Sequence, residues 1–386
     1  MVSWRRLTGV TGIAAGAIAA GAGAVVVAEK IAVGRIRLRP DPAAGEPFGA
    51  IRGQAMTVTA DDGLPLHVEI CGPADPAAAG GSGGSSPQVS AAPVTIIFCH
   101  GYTLNSDVWY YQRAGLERSA RLVFWDQRSH GRSGRSDPDL VSIDQLGADL
   151  HEVLMATAPG DMPVVLVGHS MGGMTVMALA DQHPELFGCA DDGGTTTRKG
   201  QHRKVIGAVL ISTAAGTVDP AAWLPALLRP AVRAAMPSMV TGASRGPMAG
   251  MVERGRRSAS DLAFLGTRRI AFGDPNVSPT VVDFLERIIR ATPIDVIADF
   301  YVALAGHDKR LALKVLGNVP VVVLTGDRDR LVDPGMSEGI ASAIRDSKLI
   351  KIRGAGHVVI LERPDEVNEA IAELVTRALA TRAGDD

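Results

Sequence analysis

Val164-Val165-Leu166-Val167 runs straight into Gly168-His169-Ser170-Met171-Gly172-Gly173, and a stretch with helical spacing follows from Met174 to Ala180. A serine framed this way sits on a tight strand-to-helix turn, the nucleophile elbow. The chemistry requires that layout. A serine hydroxyl at its ordinary pKa attacks poorly, so its Oγ must stand clear of the backbone and reach a base. Glycines at 168 and 172 let the chain cross closely with no Cβ in the way. The helix start directs partial positive charge at an oxyanion forming nearby. The backbone N–H of Met171, next after the serine, is the expected donor to that oxyanion.

Such a turn needs a rigid strand before it and a helix behind it, and the chain supplies both in alternation. Val94 to Cys99, Arg121 to Trp125, Val164 to Val167, Val205 to Ser212, Val319 to Thr325 and Leu349 to Ile352 are short apolar runs rich in β-branched residues. Helical stretches separate most of them. That pattern predicts buried parallel strands in a sheet covered on both faces. Upstream, Ala55 to Ala60 and Leu64 to Cys71 flank Asp61-Asp62-Gly63, a hairpin signal. Gly72 to Pro93 is of low complexity and reads as a surface loop without a packed core, and Asp191 to Lys204 reads as a polar loop insertion. From about Ala214 to Lys314 the alternation breaks. Leu224, Leu227 and Leu228, then Phe284, Leu285, Ile288 and Ile289, mark a helical insertion between two sheet strands, hence a cap. Pro364 opens the last helix, whose Val367, Ile371, Leu374, Val375 and Leu379 share one face.

Five ordered motifs carry a resemblance: Cys99-His100-Gly101-Tyr102, Asp126-Gln127-Arg128-Ser129-His130-Gly131, the elbow, Leu324-Thr325-Gly326-Asp327-Arg328-Asp329, and Gly354-Ala355-Gly356-His357. From about Met56 to Arg382 the chain resembles the α/β-hydrolase superfamily, in its branch with a helical cap between late strands. The resemblance implies an α/β-hydrolase fold, a mostly parallel, doubly covered sheet with a helical cap insertion. It implies a triad in the order nucleophile, acid, histidine: Ser170, Asp329 and His357. Asp327 and Asp333 are neighbouring alternatives to Asp329. The second oxyanion donor is then the N–H of Tyr102. His100 and His130 (with Asp126 and Arg128) are expected to shape and tie down their loops, and His169 to pack beside the serine. Trp109, Tyr110 and Tyr111 either line a pocket or pack.

The implied activity is cleavage of carboxylic esters through an acyl-enzyme, as in an esterase or lipase. Perhydrolase, carbon–carbon hydrolase, thioesterase and amidase chemistry use the same triad. Serine at the elbow argues against the epoxide hydrolase and haloalkane dehalogenase relatives, which carry aspartate there. The reading from another class is a non-catalytic binding protein on the same fold; such proteins usually lose a triad member or the elbow, and here every position is present. Met236, Met239, Met248, Met251, Leu262 and Phe264 in the cap either favour a lipophilic acyl group or bury the cap against the core.

The rest of the chain narrows the classes further. Its 386 residues carry Lys+Arg 39 against Asp+Glu 41, a net charge of −2, so no basic excess points to nucleic acid. Three cysteines, Cys71, Cys99 and Cys189, cannot build a disulfide framework or a four-cysteine zinc site. His67, His151, His183, His202 and His307 show no metal-ligand spacing. No glycine fingerprint follows a first strand and no P-loop is present, so no cofactor or metal is expected. Leu7 to Val27 carries no charge and, at about 1.5 Å per residue, is long enough for a bilayer core of about 30 Å. It reads as an anchor helix, as a cleaved export signal ending at Ala22-Gly23-Ala24, or as a small-residue helix against protein. Arg5 and Arg6 before it and Lys30, Arg35, Arg37 and Arg39 after it leave its orientation open. The expected organisation is an anchor or signal (1–30), a linker (31–54), a catalytic core (55–213 and 315–386) and a cap (214–314). Membrane association is the expected location, with export or the cytoplasm as alternatives.

Overall fold

A computed structural model describes residues 30–31, 33–72, 94–189, 203–218, 230 and 260–385. β1 (Gln54–Thr59) and β2 (Pro65–Cys71) form an antiparallel hairpin whose turn closes at Gly63 with φ 87°. β3 (Thr95–Cys99), β4 (Arg121–Trp125), β5 (Val164–His169), β6 (Val205–Ile211), β7 (Val321–Gly326) and β8 (Lys348–Ile352) follow. All eight join one sheet in the order β1-β2-β4-β3-β5-β6-β7-β8. β2 meets β4 antiparallel, and every pairing from β4 to β8 is parallel. The strands expected from the apolar runs thus form, with ends moved by a residue or two.

Continuous apolar strands need cover on both faces, and alternate residues of each strand supply it. Ile96 and Phe98 of β3 join one core cluster, and Ile97 and Cys99 join the other. Val165 and Val167 of β5 divide from Val164 and Leu166 in the same way. Burying each such side chain is worth roughly 1.5–3 kcal/mol. Among the described residues after β3 the α-helices are, in chain order, α1 (Tyr110–Leu116), α2 (Ile143–Thr157), α3 (Met171–Gln182), α4 (Ser260–Ala271), α5 (Pro279–Ala291), α6 (Ile294–Ala305), α7 (Ala312–Leu316), α8 (Pro334–Ala343), α9 (Val359–Glu362) and α10 (Pro364–Asp385). On one face, Leu150, Val153 and Leu154 of α2 and Val176, Met177 and Leu179 of α3 pack together. On the other, Ile371, Leu374, Val375 and Ala378 of α10 do so.

The stretch between β6 and β7 carries helices α4 to α7. α5 starts on Ser278, whose side chain caps the Val281 N–H, with Pro279 as first residue. The residues expected to be a linker lie against this helix. Phe48 stacks on Phe284 at 4.4 Å, Arg37 pairs with Asp283 at 2.9 Å, and the Asp41 carboxylate accepts from the Thr280 N–H and the Ser278 hydroxyl. These partners sit more than two hundred residues away in sequence, so a linear pattern does not show them. Leu7 to Val27, residues 73–93 and the four cap methionines lie outside the described residues. Among the described residues, no helix is long and apolar enough to cross a membrane.

Candidate active site

The C-terminal ends of β3, β5, β7 and β8 bring the candidate residues to one rim, where open α/β sheets place their ligands. Ser170 follows β5 and takes φ 53° and ψ −118°. That left-handed backbone is unusual for a non-glycine residue and marks a site held by its surroundings. The surroundings are close. A Cβ at Gly172 would come within 2.0 Å of the Cys99 carbonyl oxygen, so only glycine lets the first turn of α3 approach β3. Among the described residues, Ser170 Oγ has no hydrogen-bond partner.

His357 lies on the loop after β8, 6% exposed. Its Nδ1–H donates to Asp329 Oδ2 at 2.9 Å, and in that tautomer of the neutral imidazole Nε2 carries the lone pair that can take a proton. Asp329 lies on the loop after β7, and its other oxygen accepts from the Leu331 and Val332 N–H groups, both at 2.9 Å. Burial pushes this carboxyl up, but the facing imidazole and those two N–H groups outweigh it and hold it below the ordinary carboxylate range. The neighbouring aspartates have other tasks. Asp327 accepts from the Gly354 N–H at 2.6 Å, and Asp333 caps α8 through the Gly335 N–H at 2.7 Å. Of the three, Asp329 faces the histidine.

Met171 follows the serine in the chain, and Tyr102 follows Gly101, where a Cβ would lie 3.2 Å from the Ser170 Cβ. Met171 opens α3, and among the described residues neither its N–H nor that of Tyr102 has an acceptor. Two side chains shape the Tyr102 loop. His100 accepts from the Gln127 N–H at 2.9 Å and donates to the Gly101 carbonyl. His130 accepts from the Thr103 N–H and donates to the Arg128 carbonyl. Both rings are therefore neutral, and burial pushes His130 down to about 3. Arg128, fully buried, is gripped by both oxygens of Asp149 at 2.6 Å. Trp109 and Tyr110 pack: Trp109 lies 5.1 Å from Phe98 and Tyr110 donates to Glu46. Behind the serine, Met171 and Met174 of α3 share a buried apolar cluster with Val296, Phe300 and Leu304 of α6, which packs α6 against the core. Leu262 is 61% exposed, whereas Phe264 is buried.

Two further residues hold His357, and the linear reading does not assign them that task. His169 donates from Nε2 to the carbonyl of His357 at 3.0 Å, and its ring lies 5.0 Å from the His357 ring. Its pKa is pushed down to about 3 by burial and by the neighbouring His357. Glu362, buried at the end of α9, accepts from the Gly356 N–H at 2.7 Å and from the Gly273 and Asp274 N–H groups. Glu362 is not singled out by the motifs above; the one signal in the chain is a carboxylate that closes the apolar run Val358-Val359-Ile360-Leu361, five residues past the histidine.

Residues 96–370 match the model of the alpha/beta hydrolase family, and the chain belongs to that family. Among solved structures it is similar to a thermophilic esterase from Thermogutta terrifontis, with TM-score 0.60 and 20% identity over 84% of this chain and 99% of that one. It is also similar to the enol-lactonase from Burkholderia xenovorans LB400, with TM-score 0.58 and 21% identity over 83% and 100%. A curated relative is RutD of Escherichia coli O157:H7, provisionally named a carbamate hydrolase. It is 34% identical over 100 residues, which span 26% of this chain and 36% of RutD. The chain is thus an enzyme of hydrolase type, and a small-molecule substrate is consistent with that family.

Proposed function

We propose that this hydrolase cleaves carboxylic esters through an acyl-enzyme on Ser170. The observation that carries the reading is the His357–Asp329 hydrogen bond at 2.9 Å, beside a serine held on a strained elbow. His357 Nε2 takes the serine proton as Oγ attacks the carbonyl carbon. Asp329 keeps the proton on Nδ1 and stabilises the imidazolium that forms. The N–H groups of Met171 and Tyr102 receive the oxyanion, each worth roughly 3–4 kcal/mol of barrier. The imidazolium protonates the departing alkoxide, and water, deprotonated by the same histidine, releases the acid.

A fluorophosphonate probe tests this directly. Wild-type protein should label on Ser170 and Ser170→Ala should not; equal labelling of both would sink the proposal. The partial match to RutD favours a second reading, a carbamate as substrate. A panel of p-nitrophenyl esters of rising chain length, run beside p-nitrophenyl N-alkylcarbamates, separates the two by kcat/KM. The uncharged run Leu7 to Val27 supports tethering to a membrane; release of the full chain by carbonate extraction would count against it.

A further inference from the structure

A cavity of about 210 Å³ opens on the outer side of the loops that carry Asp329 and His357. Its walls are Arg268 and Arg269 at the end of α4, the turn Phe272 to Pro275, and Arg328 and Arg330, which flank Asp329 in the chain. Ser170, Asp329 and His357 do not line it. Arg39 reaches the same turn through the Pro275 carbonyl and the Asn276 side chain. The one carboxylate in the lining, Asp274, is already paired with Arg363 at 3.1 Å.

Three of the four lining arginines are oriented by backbone carbonyls rather than by carboxylates. Arg268 donates to the Pro275 carbonyl, Arg328 to that of Gly273, and Arg330 to those of Arg269 and Phe272. Among the described residues none of the four forms a salt bridge. Arg268 Nε is buried with no partner, and burial together with the Arg39 charge holds this guanidinium below its ordinary pKa. Arg128 shows how the same chain treats a structural guanidinium, with two buried contacts to Asp149 and a third to Asp62. Four guanidinium groups around a void that holds one carboxylate, Asp274, itself paired with Arg363, leave a surplus of positive charge, and an anion offsets that repulsion. Guanidinium forks match the paired oxygens of phosphate. At roughly 30 Å³ per water-sized group, the volume holds the five heavy atoms of a phosphate and part of what it is esterified to.

We propose that this arginine-lined cavity is a binding site for a phosphate oxyanion, supplied either as free phosphate or as the headgroup of an acidic lipid. The second source has support in the surroundings. Arg37 lies over the Phe264 ring of α4, so the amino-terminal segment runs along this side. Leu38 and Leu262 there are 87% and 61% exposed, and apolar side chains among arginines suit an anionic membrane surface.

Thermal unfolding of the full chain tests the site, with inorganic phosphate titrated against chloride at matched ionic strength. The expected result is a saturable rise in Tm of roughly 2–4 °C for wild type and none for Arg268→Gln/Arg330→Gln. Because Arg268 is half-buried, Arg328→Gln/Arg330→Gln, at two exposed positions, serves as the second variant and should also lose the response. Flotation with vesicles of phosphatidylcholine, with and without phosphatidylglycerol, separates the sources. Several-fold enrichment of wild type over Arg328→Gln/Arg330→Gln on the acidic vesicles alone assigns the headgroup. A phosphate response without that enrichment assigns free phosphate. If wild type and both variants respond to phosphate alike, or not at all, and the vesicles do not discriminate, the site does not exist.

Discussion

The two sides of the candidate site are held by different physics. The elbow around Ser170 is fixed by backbone against backbone: β5, the first turn of α3 and the end of β3 meet at distances only glycine permits. The loop of His357 also meets backbone closely, Gly356 against Gly273, but it depends in addition on side chains from elsewhere, with Glu362 holding Gly356, His169 holding the His357 carbonyl and Asp329 holding the ring. A fixture made of local chain geometry tolerates little change and resists it as a unit. One made of converging side chains can be loosened contact by contact. Stability measurements should therefore report mainly on the first, and turnover mainly on the second.

The largest effect expected on the histidine side is from Asp329→Asn. Losing the carboxylate that sets the tautomer should lower kcat by about 10⁴-fold, or about 5 kcal/mol, with the fold kept. Asp333→Asn keeps the helix cap, because the amide oxygen still accepts from the Gly335 N–H, and should cost less than about 0.5 kcal/mol of stability, with turnover unchanged. The reverse pattern in steady-state kinetics would overturn the choice of acid.

Gly172→Ala presses a methyl group into the Cys99 carbonyl, inside the sheet, and should cost about 3 kcal/mol or more. Gly356→Ala meets the Gly273 nitrogen at 2.5 Å, in a turn outside the sheet. It should cost less stability and proportionally more kcat. Urea unfolding midpoints and kcat, measured on both variants, sharpen the contrast; equal losses of stability would erase it.

Glu362→Gln comes next. The amide turns an N–H donor toward three backbone N–H groups, so the histidine loop should shift, lowering kcat by roughly 10–100-fold with KM little changed. Partial recovery in Glu362→Asp, and an unchanged fluorophosphonate adduct site, distinguish positioning from collapse. The smallest effect is with pH. The Asp329 carboxyl is held below its unfolded value, so its pairing stabilises the fold above the ordinary carboxylate range and is lost as pH falls through the lower folded value. Wild type should lose Tm on acidification below about pH 4, and Asp329→Asn should show a shallower fall.

Much of this was legible in the chain. The strand runs were readable because a strand buried on both faces must be continuously apolar, and the elbow was readable because its glycines and serine are contiguous. The acid was only partly readable. Three aspartates within seven positions look alike in sequence, and the motif resemblance selected Asp329. The turn geometry explains their division, since Asp333 is consumed by α8 and Asp327 by Gly354. The segment 31–54 read as a linker because its polar and proline-rich composition has no periodicity. Its partners, Phe284, Asp283 and Thr280, belong to α5.

By itself, then, the sequence determined the alternation of strands and helices, the strained serine turn and the types of residue available for a triad. These depend on neighbours along the chain, through steric limits on φ and ψ and through the period of apolar residues. Only the tertiary structure decided which carboxylate meets His357, how Glu362 and His169 fix its loop, and that six arginines from four separate stretches gather around one turn. Those outcomes depend on distances through space between residues far apart in sequence, which no local spacing encodes.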